Sequence, residues 1–325
     1  MRLTARICMS SMISESGSWC SRWRRRGIDQ RELSELRSLR RKSGLTKRLC
    51  ISIIPINHTK LVGNGGEEMC EIYAYAGKRA GSFVEELREF FSHSGEHPNG
   101  WGLAVEKDGR MNIEKEPFRA LDSLYLNERL QAGVKGNTLI AHIRYATIGS
   151  VKYANCHPFS AVDRSGRQWV LAHNGTIFDY APMYRYTKVQ RGSTDSERIL
   201  LYLIDVMNAA MEEKGRRLTG QERFAVLDSV FSLMAIGNKL NIVLYDGEYL
   251  YVHANAENSL FYRQEKETVT FSTRPLSRGR WKAAPFTQLT AWHRGQLVFE
   301  GTVHGRVYVQ DEEAVKLLYL AYSQL

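Results

Sequence analysis

The sequence predicts a layered α+β protein, in which one sheet packs against another and helices lie outside them. Two blocks of strand-like segments, within residues 70–175 and 239–309, are separated by helical periodicity across residues 194–237. The sequence lacks alternating βαβ units and a phosphate-binding glycine-rich loop, which argues against a nucleotide-binding doubly wound fold. Of the 325 residues, 43% are hydrophobic and 25% are charged, as in ordinary soluble globular proteins.

The first strand block begins at Cys70. Residues 70–77 (CEIYAYAG) are expected to form a strand, and the apolar spacing of residues 82–93 predicts a helix with Ser82 as its N-cap. Residues 101–116 predict a hairpin that turns at Asp108-Gly109. The remaining segments of this block are a predicted helix over residues 120–133 and predicted strands over residues 137–146 and 168–175.

Helices dominate the middle of the chain, and strands return after it. Residues 194–215 predict a long helix that ends at Gly215, and residues 221–237 predict a second one. Thr194 and Glu197 have the spacing of a capping box at the start of the long helix. The later segments are predicted strands over residues 239–254, with a turn at Asp246-Gly247, and over residues 268–276 and 295–309.

The net charge of +10 lies mostly upstream of the first predicted strand. Residues 1–68 hold 14 of the 45 Lys and Arg residues and 6 of the 35 Asp and Glu residues, so the other 257 residues carry a net charge of only +2. Binding of nucleic acid by the folded body therefore loses its main support. No apolar run reaches the length of a membrane span, so we expect no membrane partner.

Cysteine usage predicts a reducing compartment. Only Cys70 and Cys156 lie in the body of the chain, which is too few for a disulfide framework. No CxxC pair and no Cys/His metal spacing appears in the sequence. We therefore expect a cytoplasmic protein without a metal or cofactor.

Residues 1–68 differ from the rest and are expected to be disordered. They contain one short helical pattern, over residues 29–42, and few aromatic residues that would form a core. Residues 65–68 (GGEE) require purine-rich codons that can contain GGAGG shortly before the ATG of Met69, as a translated ribosome-binding site would. We expect this segment to be a mis-assigned upstream extension or a cleaved propeptide, and residues 69–325 to be the functional domain.

Cys70 becomes chemically interesting if Met69 is the initiator. Removal of Met69 would expose the α-amine of Cys70, whose reference pKa of about 7.7–8.0 suits a general base at neutral pH. A thiol must be deprotonated before it is a good nucleophile. One residue would then supply both the nucleophile and its base. The alternative is a small hydrophobic residue buried on a strand, as most unpaired cysteines are.

Three further motifs contain groups that suit amide chemistry. Asn174 and Gly175 at a predicted strand end supply a side-chain amide and a backbone N–H that can converge on an oxyanion, although Asn-Gly is also a common turn. Arg144 ends an apolar strand, where its guanidinium suits a carboxylate, although it equally suits an acidic side chain. Asp195 favours the helix dipole and is also suited to an ammonium group.

Taken together, these motifs resemble the class II glutamine amidotransferases of the N-terminal-nucleophile hydrolase superfamily. The matching segments are MCEIYAYAG, HPNGWGLAVE, HIRYATIGSVKYANCHPF, WVLAHNGTI and STDSE, in that order. The resemblance extends from Met69 toward the C-terminal region. Within the family, the sequence resembles the free-standing type that includes the γ-glutamyl hydrolase of ergothioneine biosynthesis. The resemblance implies a four-layer αββα sandwich of two mainly antiparallel sheets.

The resemblance also implies a role for each site residue. Cys70 would attack the γ-amide of glutamine or of a γ-glutamyl amide and form a thioester, with its own α-amine as base. Asn174 and Gly175 would form the oxyanion hole. The expected substrate-binding residues are Arg144 for the α-carboxylate, Asp195 for the α-ammonium group, and Thr147. Ammonia would be released, or transferred to a separate ammonia-accepting synthase subunit.

Three other readings remain open from the sequence. Cys156, His173 and Asn174 would form a papain-like set if Cys70 is not the nucleophile. The same fold would instead be a catalytically silent regulatory or scaffold subunit if the nucleophile is never exposed. The basic segment of residues 22–48 would bind nucleic acid in a salt-dependent way. Among the histidines, His142, His157 and His173 are expected to be structural and not a metal site.

Overall fold

The computed structural model describes residues 70–146, 149–311 and 313 of the chain. These residues belong to one compact unit, residues 66–325. The described α-helices are α1 (Val84–Ser92), α2 (Leu124–Gln131), α3 (Asp195–Lys214) and α4 (Gly220–Met234). The described strands are β1 (Glu71–Ser82), β2 (Trp101–Lys107), β3 (Arg110–Glu116), β4 (Lys135–Ile143), β5 (Phe159–Val162), β6 (Gln168–Thr176), β7 (Lys239–Tyr245), β8 (Leu250–His253), β9 (Phe261–Glu265), β10 (Thr268–Ser272), β11 (Lys282–Ala283), β12 (Thr290–His293) and β13 (Gln296–Glu300).

The strands form two sheets. One sheet has the order β11-β9-β10-β1-β4-β2-β3, and the other has the order β13-β12-β8-β7-β6-β5. The strand pairs within both sheets are antiparallel. β1 and β4 lie at the centre of the first sheet, and β6 and β7 are inner strands of the second.

Side-chain alternation divides the buried residues into three cores and so creates four layers. Ile72 and Ala74 of β1 point into the space between the sheets, where they pack with Val170 and Val243. Tyr73, on the opposite face of β1, packs beneath α1 and α2. The outer face of the second sheet packs against α3 and α4. The predicted four-layer αββα sandwich is confirmed, and the buried residues that form its three cores lie within residues 72–292.

Turn and cap residues explain most of the element boundaries. Asp108 and Gly109 have positive φ angles of 55° and 76°, as the predicted hairpin turn requires. Gly215 ends α3 with a φ of 66° in the left-handed conformation, also as predicted. The predicted N-cap Ser82 was wrong, because β1 continues through Ser82, which pairs with Lys135, and Phe83 is the N-cap of α1.

The predicted helix at residues 29–42 lies outside the described residues. Within the described part of the chain, no helix has the length and apolar character needed to cross a membrane.

Candidate functional site

The candidate site residues lie where several elements begin or end. Cys70 directly precedes β1 and Arg144 directly follows β4, and these strands place Glu71 opposite Ile143. The antiparallel pairing therefore brings Cys70 next to the segment that contains Arg144. The charges of both Arg144 and Asp195 act on the Cys70 thiol, so residues far apart in the sequence share one site.

The backbone of Tyr145 holds the Cys70 thiol. Sγ lies 3.3 Å from the Tyr145 carbonyl oxygen and 3.3 Å from the Tyr145 backbone N–H. Cys70 as a residue is half-buried, and desolvation raises the pKa of its thiol to about 11, although the Tyr145 hydrogen bond and Arg144 act to lower it. The thiol is thus protonated at neutral pH and needs a base to become a nucleophile.

Arg144 is buried, and its guanidinium helps to hold the loop that follows it. Nη2 donates to the carbonyl oxygen of Gly149 at 2.9 Å, and Nη1 donates to that of Ser150 at 3.2 Å. A guanidinium has five N–H donors in a planar fork. Arg144 therefore positions this loop, and its predicted contact with a substrate carboxylate stays a prediction.

Asn99 makes two hydrogen bonds to the segment that contains Arg144, a role that we did not predict. Its backbone N–H donates to the Arg144 carbonyl oxygen at 3.1 Å, and its Oδ1 accepts from the Ala146 backbone N–H at 2.9 Å. The following Gly100 has a φ of 137°, and a Cβ there would lie 2.7 Å from the Cys156 sulfur. The sequence signal was present in HPNGWG, which was matched to the family without a role for Asn99.

Asn174 is buried near the end of β6. Its Oδ1 has no hydrogen-bond partner among the described residues. Because Oδ1 is an acceptor, its lack of a partner does not bear on the predicted oxyanion role, which would need the Nδ2 donor of the same amide. The Asn174 amide is thus a group whose hydrogen-bonding capacity the protein leaves partly unused.

Gly175 is required by the close approach of two strands. It lies opposite Leu240 in the β6–β7 pair, and a Cβ at position 175 would lie 2.0 Å from the Lys239 carbonyl oxygen. This backbone contact excludes any larger residue. The glycine therefore has a structural reason to be present, in addition to the predicted oxyanion role.

Asp195 is buried at the start of α3 and joins that helix to the end of β6. Its Oδ2 accepts from the Ile177 backbone N–H at 2.8 Å, and its Oδ1 accepts from the Ser196 backbone N–H at 2.8 Å. Two carboxylate oxygens offer about four lone-pair sites, so Asp195 retains accepting capacity after these bonds. The carboxylate therefore orients the backbone that follows Asn174 and Gly175, the predicted oxyanion residues, and keeps the accepting capacity that an ammonium group requires.

The predicted capping box at α3 is only half present. Thr194 Oγ1 accepts from the Glu197 backbone N–H at 3.3 Å. The Glu197 carboxylate instead accepts from the backbone N–H groups of Arg191 and Gly192, each at 2.7 Å. The reciprocal prediction was wrong because Glu197 is used to close the loop before the helix.

The papain-like alternative finds no support in the geometry around Cys156. Its buried sulfur contacts the carbonyl oxygens of Glu116 and Lys152 at 3.4 and 3.5 Å, and burial raises the pKa of the thiol. His173 uses Nδ1 toward Ser196 Oγ at 3.0 Å and Nε2 toward the Lys239 carbonyl oxygen at 3.1 Å. Because a carbonyl only accepts, Nε2 carries the hydrogen, and the ring joins β6 to α3 and β7.

Two predictions fall on residues outside those described. Thr147 is one of them, and the basic segment of residues 22–48 is the other. Among the described residues, no group of three or more His, Cys, Asp or Glu side chains is arranged to hold a metal ion. His142 and His157 stack with ring centroids 4.0 Å apart, and burial lowers the pKa of both rings, so they are neutral.

Comparison with known proteins places this geometry in a family. The family model described as "Glutamine amidotransferases class-II" matches residues 69–266. An uncharacterized protein of Methanocaldococcus jannaschii is 27% identical over 259 residues, which cover 71% of this chain and 71% of that protein. Glutamine–fructose-6-phosphate aminotransferase of Streptococcus agalactiae is 26% identical over 212 residues, which cover 56% of this chain and only 34% of the enzyme. The chain thus spans about a third of that enzyme's length.

Solved structures share the fold. A predicted glutamine amidotransferase from Pseudomonas aeruginosa aligns with a TM-score of 0.51 at 22% identity, covering 71% of this chain and all of that one. Glutamine phosphoribosylpyrophosphate amidotransferase from Bacillus subtilis aligns with a TM-score of 0.50 at 16% identity, covering 72% of this chain and 49% of that one. Since the family model matches more than half of the chain, beginning one residue before Cys70, the protein belongs to the class II glutamine amidotransferases.

Proposed function

We propose that the protein hydrolyses the γ-amide of glutamine or of a γ-glutamyl amide through a thioester on Cys70. The observation that carries this proposal is the Cys70 thiol, which the Tyr145 backbone holds beside Arg144 and within the field of Asp195. A thiol, a carboxylate-binding cation and an ammonium-binding anion are the three groups that an amino-acid amide needs. The family match supports the same reaction class.

The α-amine of Cys70 serves as the base. Burial raises the pKa of the thiol to about 11, so few molecules ionise spontaneously at neutral pH, whereas an α-amine has a pKa of about 7.7–8.0. The amine takes the thiol proton as sulfur attacks the amide carbon, and then gives it to the leaving ammonia. Water cleaves the thioester, which yields the free acid and restores the thiol.

The other predicted residues assist the same steps. Asn174 and Gly175 donate to the oxyanion of the tetrahedral intermediate, which is the charge that develops in the transition state. Arg144 binds the α-carboxylate and Asp195 binds the α-ammonium group, and we retain Thr147 as a further substrate contact. These contacts explain selection of a substrate that has both charges of an amino acid.

This mechanism requires that residues 1–69 be absent from the working enzyme, because the nitrogen of Cys70 is not basic while it is in a peptide bond. We propose that translation starts at Met69 or that a propeptide is removed before Cys70. The family match, which starts at residue 69, supports this boundary. Mass spectrometry of the protein made from its native locus should find Cys70 first. An intact N-terminus at Met1 would contradict both routes.

Glutaminase assays test the nucleophile. The chain initiated at Met69 should release ammonia and glutamate from glutamine, and Cys70→Ala should abolish this release. Cys156→Ala is the matched control, since it removes the other described cysteine, and it should retain activity. Loss of activity only in Cys156→Ala would overturn the assignment.

A covalent trap separates the enzyme from a silent scaffold with the same fold. Diazo-oxo-norleucine should modify Cys70 in the chain that begins at this residue. Absence of any adduct would favour a regulatory or scaffold subunit. A separate synthase subunit would be the acceptor of ammonia if glutamate formation from glutamine rises only when such a partner and its substrate are added, without an equal release of free ammonia.

A further inference from the structure

Glu71, the residue after the proposed nucleophile, has a buried and multiply paired carboxylate. Its side chain is 5% exposed and its Oε2 lies 2.8 Å from His93 Nδ1. Its Oε1 lies 3.0 Å from Arg274 Nη2 and 3.9 Å from His97 Nε2. These are ion-pair contacts without hydrogen-bond geometry, so Oε1 has no hydrogen-bond partner among the described residues. Neither the oxyanion hole nor the substrate contacts proposed above use this carboxylate.

The partners of Glu71 come from two other parts of the fold. His93 and His97 lie in the segment that follows α1, and Arg274 lies in the loop that follows β10. Arg274 also pairs with Glu96 at 2.9 Å, so the cluster links that segment to that loop. Burial of a charge is costly unless the charge is paired, which means that Glu71 strongly favours the one position in which these partners surround it.

A second route connects this cluster to the thiol. The His97 and Tyr145 rings meet edge to face with centroids 6.3 Å apart. The backbone of Tyr145 in turn contacts the Cys70 sulfur. The cluster therefore reaches Cys70 both through the adjacent peptide bond and through the residue that holds its side chain.

An N-terminal nucleophile has a particular need for such an anchor. Chain termini are poorly ordered unless they are held in place, and a first residue has a peptide bond on one side only. Next in the strand, the Ile72 backbone N–H donates to Thr273 Oγ1 at 3.1 Å, and the Thr273 N–H donates to the Ile72 carbonyl at 3.0 Å. Residues 273–274 thus hold both positions that follow Cys70.

We propose that Glu71 is a positioning residue, which fixes the first residue of β1 through His93 and Arg274 and so aligns the Cys70 thiol for attack. The proposal rests on the proposed function of Cys70. Because Glu71 does not bind Arg144 or Asp195, its loss should affect the reaction step more than substrate binding. A misplacement of about 1 Å can cost about 100-fold in rate.

The test compares Glu71→Gln and Glu71→Ala with Asp246→Asn, in the protein that begins at Cys70. Asp246 is a matched control because it is also buried and ion-paired, with Arg223 at 2.6 Å. Asp246 follows the end of β7 that lies away from the candidate site, because Lys239 at the other end of that strand pairs with Thr176 near the site. Glu71→Gln nearly conserves side-chain volume, and is informative even if Glu71→Ala does not fold.

We expect kcat for glutamine to fall about 10-fold in Glu71→Gln and about 100-fold in Glu71→Ala, with KM within about threefold of the parent. Asp246→Asn should lower stability and leave kcat of the folded protein within about twofold. Equal kcat values in Glu71→Gln, Asp246→Asn and the parent would overturn the proposal, as would a change confined to KM.

Amide hydrogen exchange keeps this result separate from failure of the proposed function. The peptide that contains residues 70–76 should exchange at least about tenfold faster in Glu71→Gln than in the parent, and Asp246→Asn should not change it. An inactive parent protein would reject the proposed function, and exchange would then still decide whether Glu71 anchors Cys70. Unchanged exchange in Glu71→Gln would reject the anchor itself.

Discussion

At the scale of single residues, burial decides which groups are ionised at neutral pH. The Cys70 thiol is held between backbone groups, and desolvation raises its pKa to about 11. A reactive cysteine ordinarily has a lowered pKa. Cys70 can therefore act as a nucleophile at neutral pH only if a nearby base takes its proton, as the proposed function requires.

The pH profile of kcat/KM should report that base. Since the α-amine acts in its unprotonated form, activity should be low in acid and rise through an apparent pKa of about 7.7–8.0. Steady-state glutamine hydrolysis between pH 6 and 10 measures this. A protein with an acetylated Cys70 amine should be inactive at every pH. Activity that keeps rising up to pH 10 with no inflection near pH 8 would contradict the assignment.

Replacement of Asn174 should separate catalysis from stability. Asn174→Ala should lower kcat by about 10²–10³, or about 2.7–4 kcal/mol of transition-state stabilisation. It should cost little folding free energy, because Oδ1 of Asn174 has no partner among the described residues. Steady-state kinetics and urea unfolding measure the two effects.

Asn155→Ala is the control for stability, because both ends of the Asn155 amide make hydrogen bonds, whereas Oδ1 of Asn174 has no partner among the described residues. Its side chain bonds to the Ser150 carbonyl oxygen, to Ser193 Oγ and to the Ser193 backbone N–H. Asn155→Ala should therefore lower the free energy of unfolding by about 1–3 kcal/mol. If Asn174→Ala proved the more destabilising of the two and retained kcat, its role would be structural.

At the scale of elements, local sequence signals succeed where turns or caps act alone. The Asp-Gly turn of β2 and β3 and the end of α3 at Gly215 were predicted correctly, because both depend on positive φ angles. Ser82 failed as an N-cap because pairing with β4 extends β1 to that residue. A strand partner distant in sequence outweighed a local preference.

Gly175→Ala should destabilise the β6–β7 pair. The new methyl group would lie 2.0 Å from the Lys239 carbonyl oxygen and 2.5 Å from His173 Nε2. Overpacking of this kind typically costs about 1–3 kcal/mol of folding free energy. Urea unfolding should show a lower midpoint. Gly95→Ala is the control, since a Cβ there meets no atom within 4 Å, and equal midpoints would contradict the strand contact.

At the scale of the whole molecule, two sheets and two helical layers create an interior where histidines are kept neutral. Desolvation lowers the pKa of His142 and of His253 to about 3 in each case. His253 Nε2 lies 2.9 Å from His304 Nε2, a contact that requires at least one neutral ring. The folded protein therefore keeps these histidines neutral at a pH at which they would be protonated in the unfolded chain.

Stability should consequently fall as the solution becomes acidic. A histidine in the unfolded chain has a pKa of about 6.5, so it is protonated below this pH. In the folded protein, His142 and His253 stay neutral down to about pH 3. Each such residue lowers the free energy of unfolding by up to about 1.4 kcal/mol per pH unit. Urea unfolding at pH 8, 7, 6 and 5 measures this, and equal stability at pH 7 and pH 5 would contradict it.

The layered fold class and the strand that follows Cys70 were predicted correctly from side-chain periodicity. The roles of Asn174, Gly175, Arg144 and Asp195 follow from residue chemistry and the family resemblance, and they stay predictions. What the tertiary structure decided depends on long-range contacts: the hydrogen bonds of Asn99 to the Arg144 segment, the partners of His173, and the pairing of Glu71 with Arg274. No local spacing encodes such partners, because only the packing of sheets and loops brings them together.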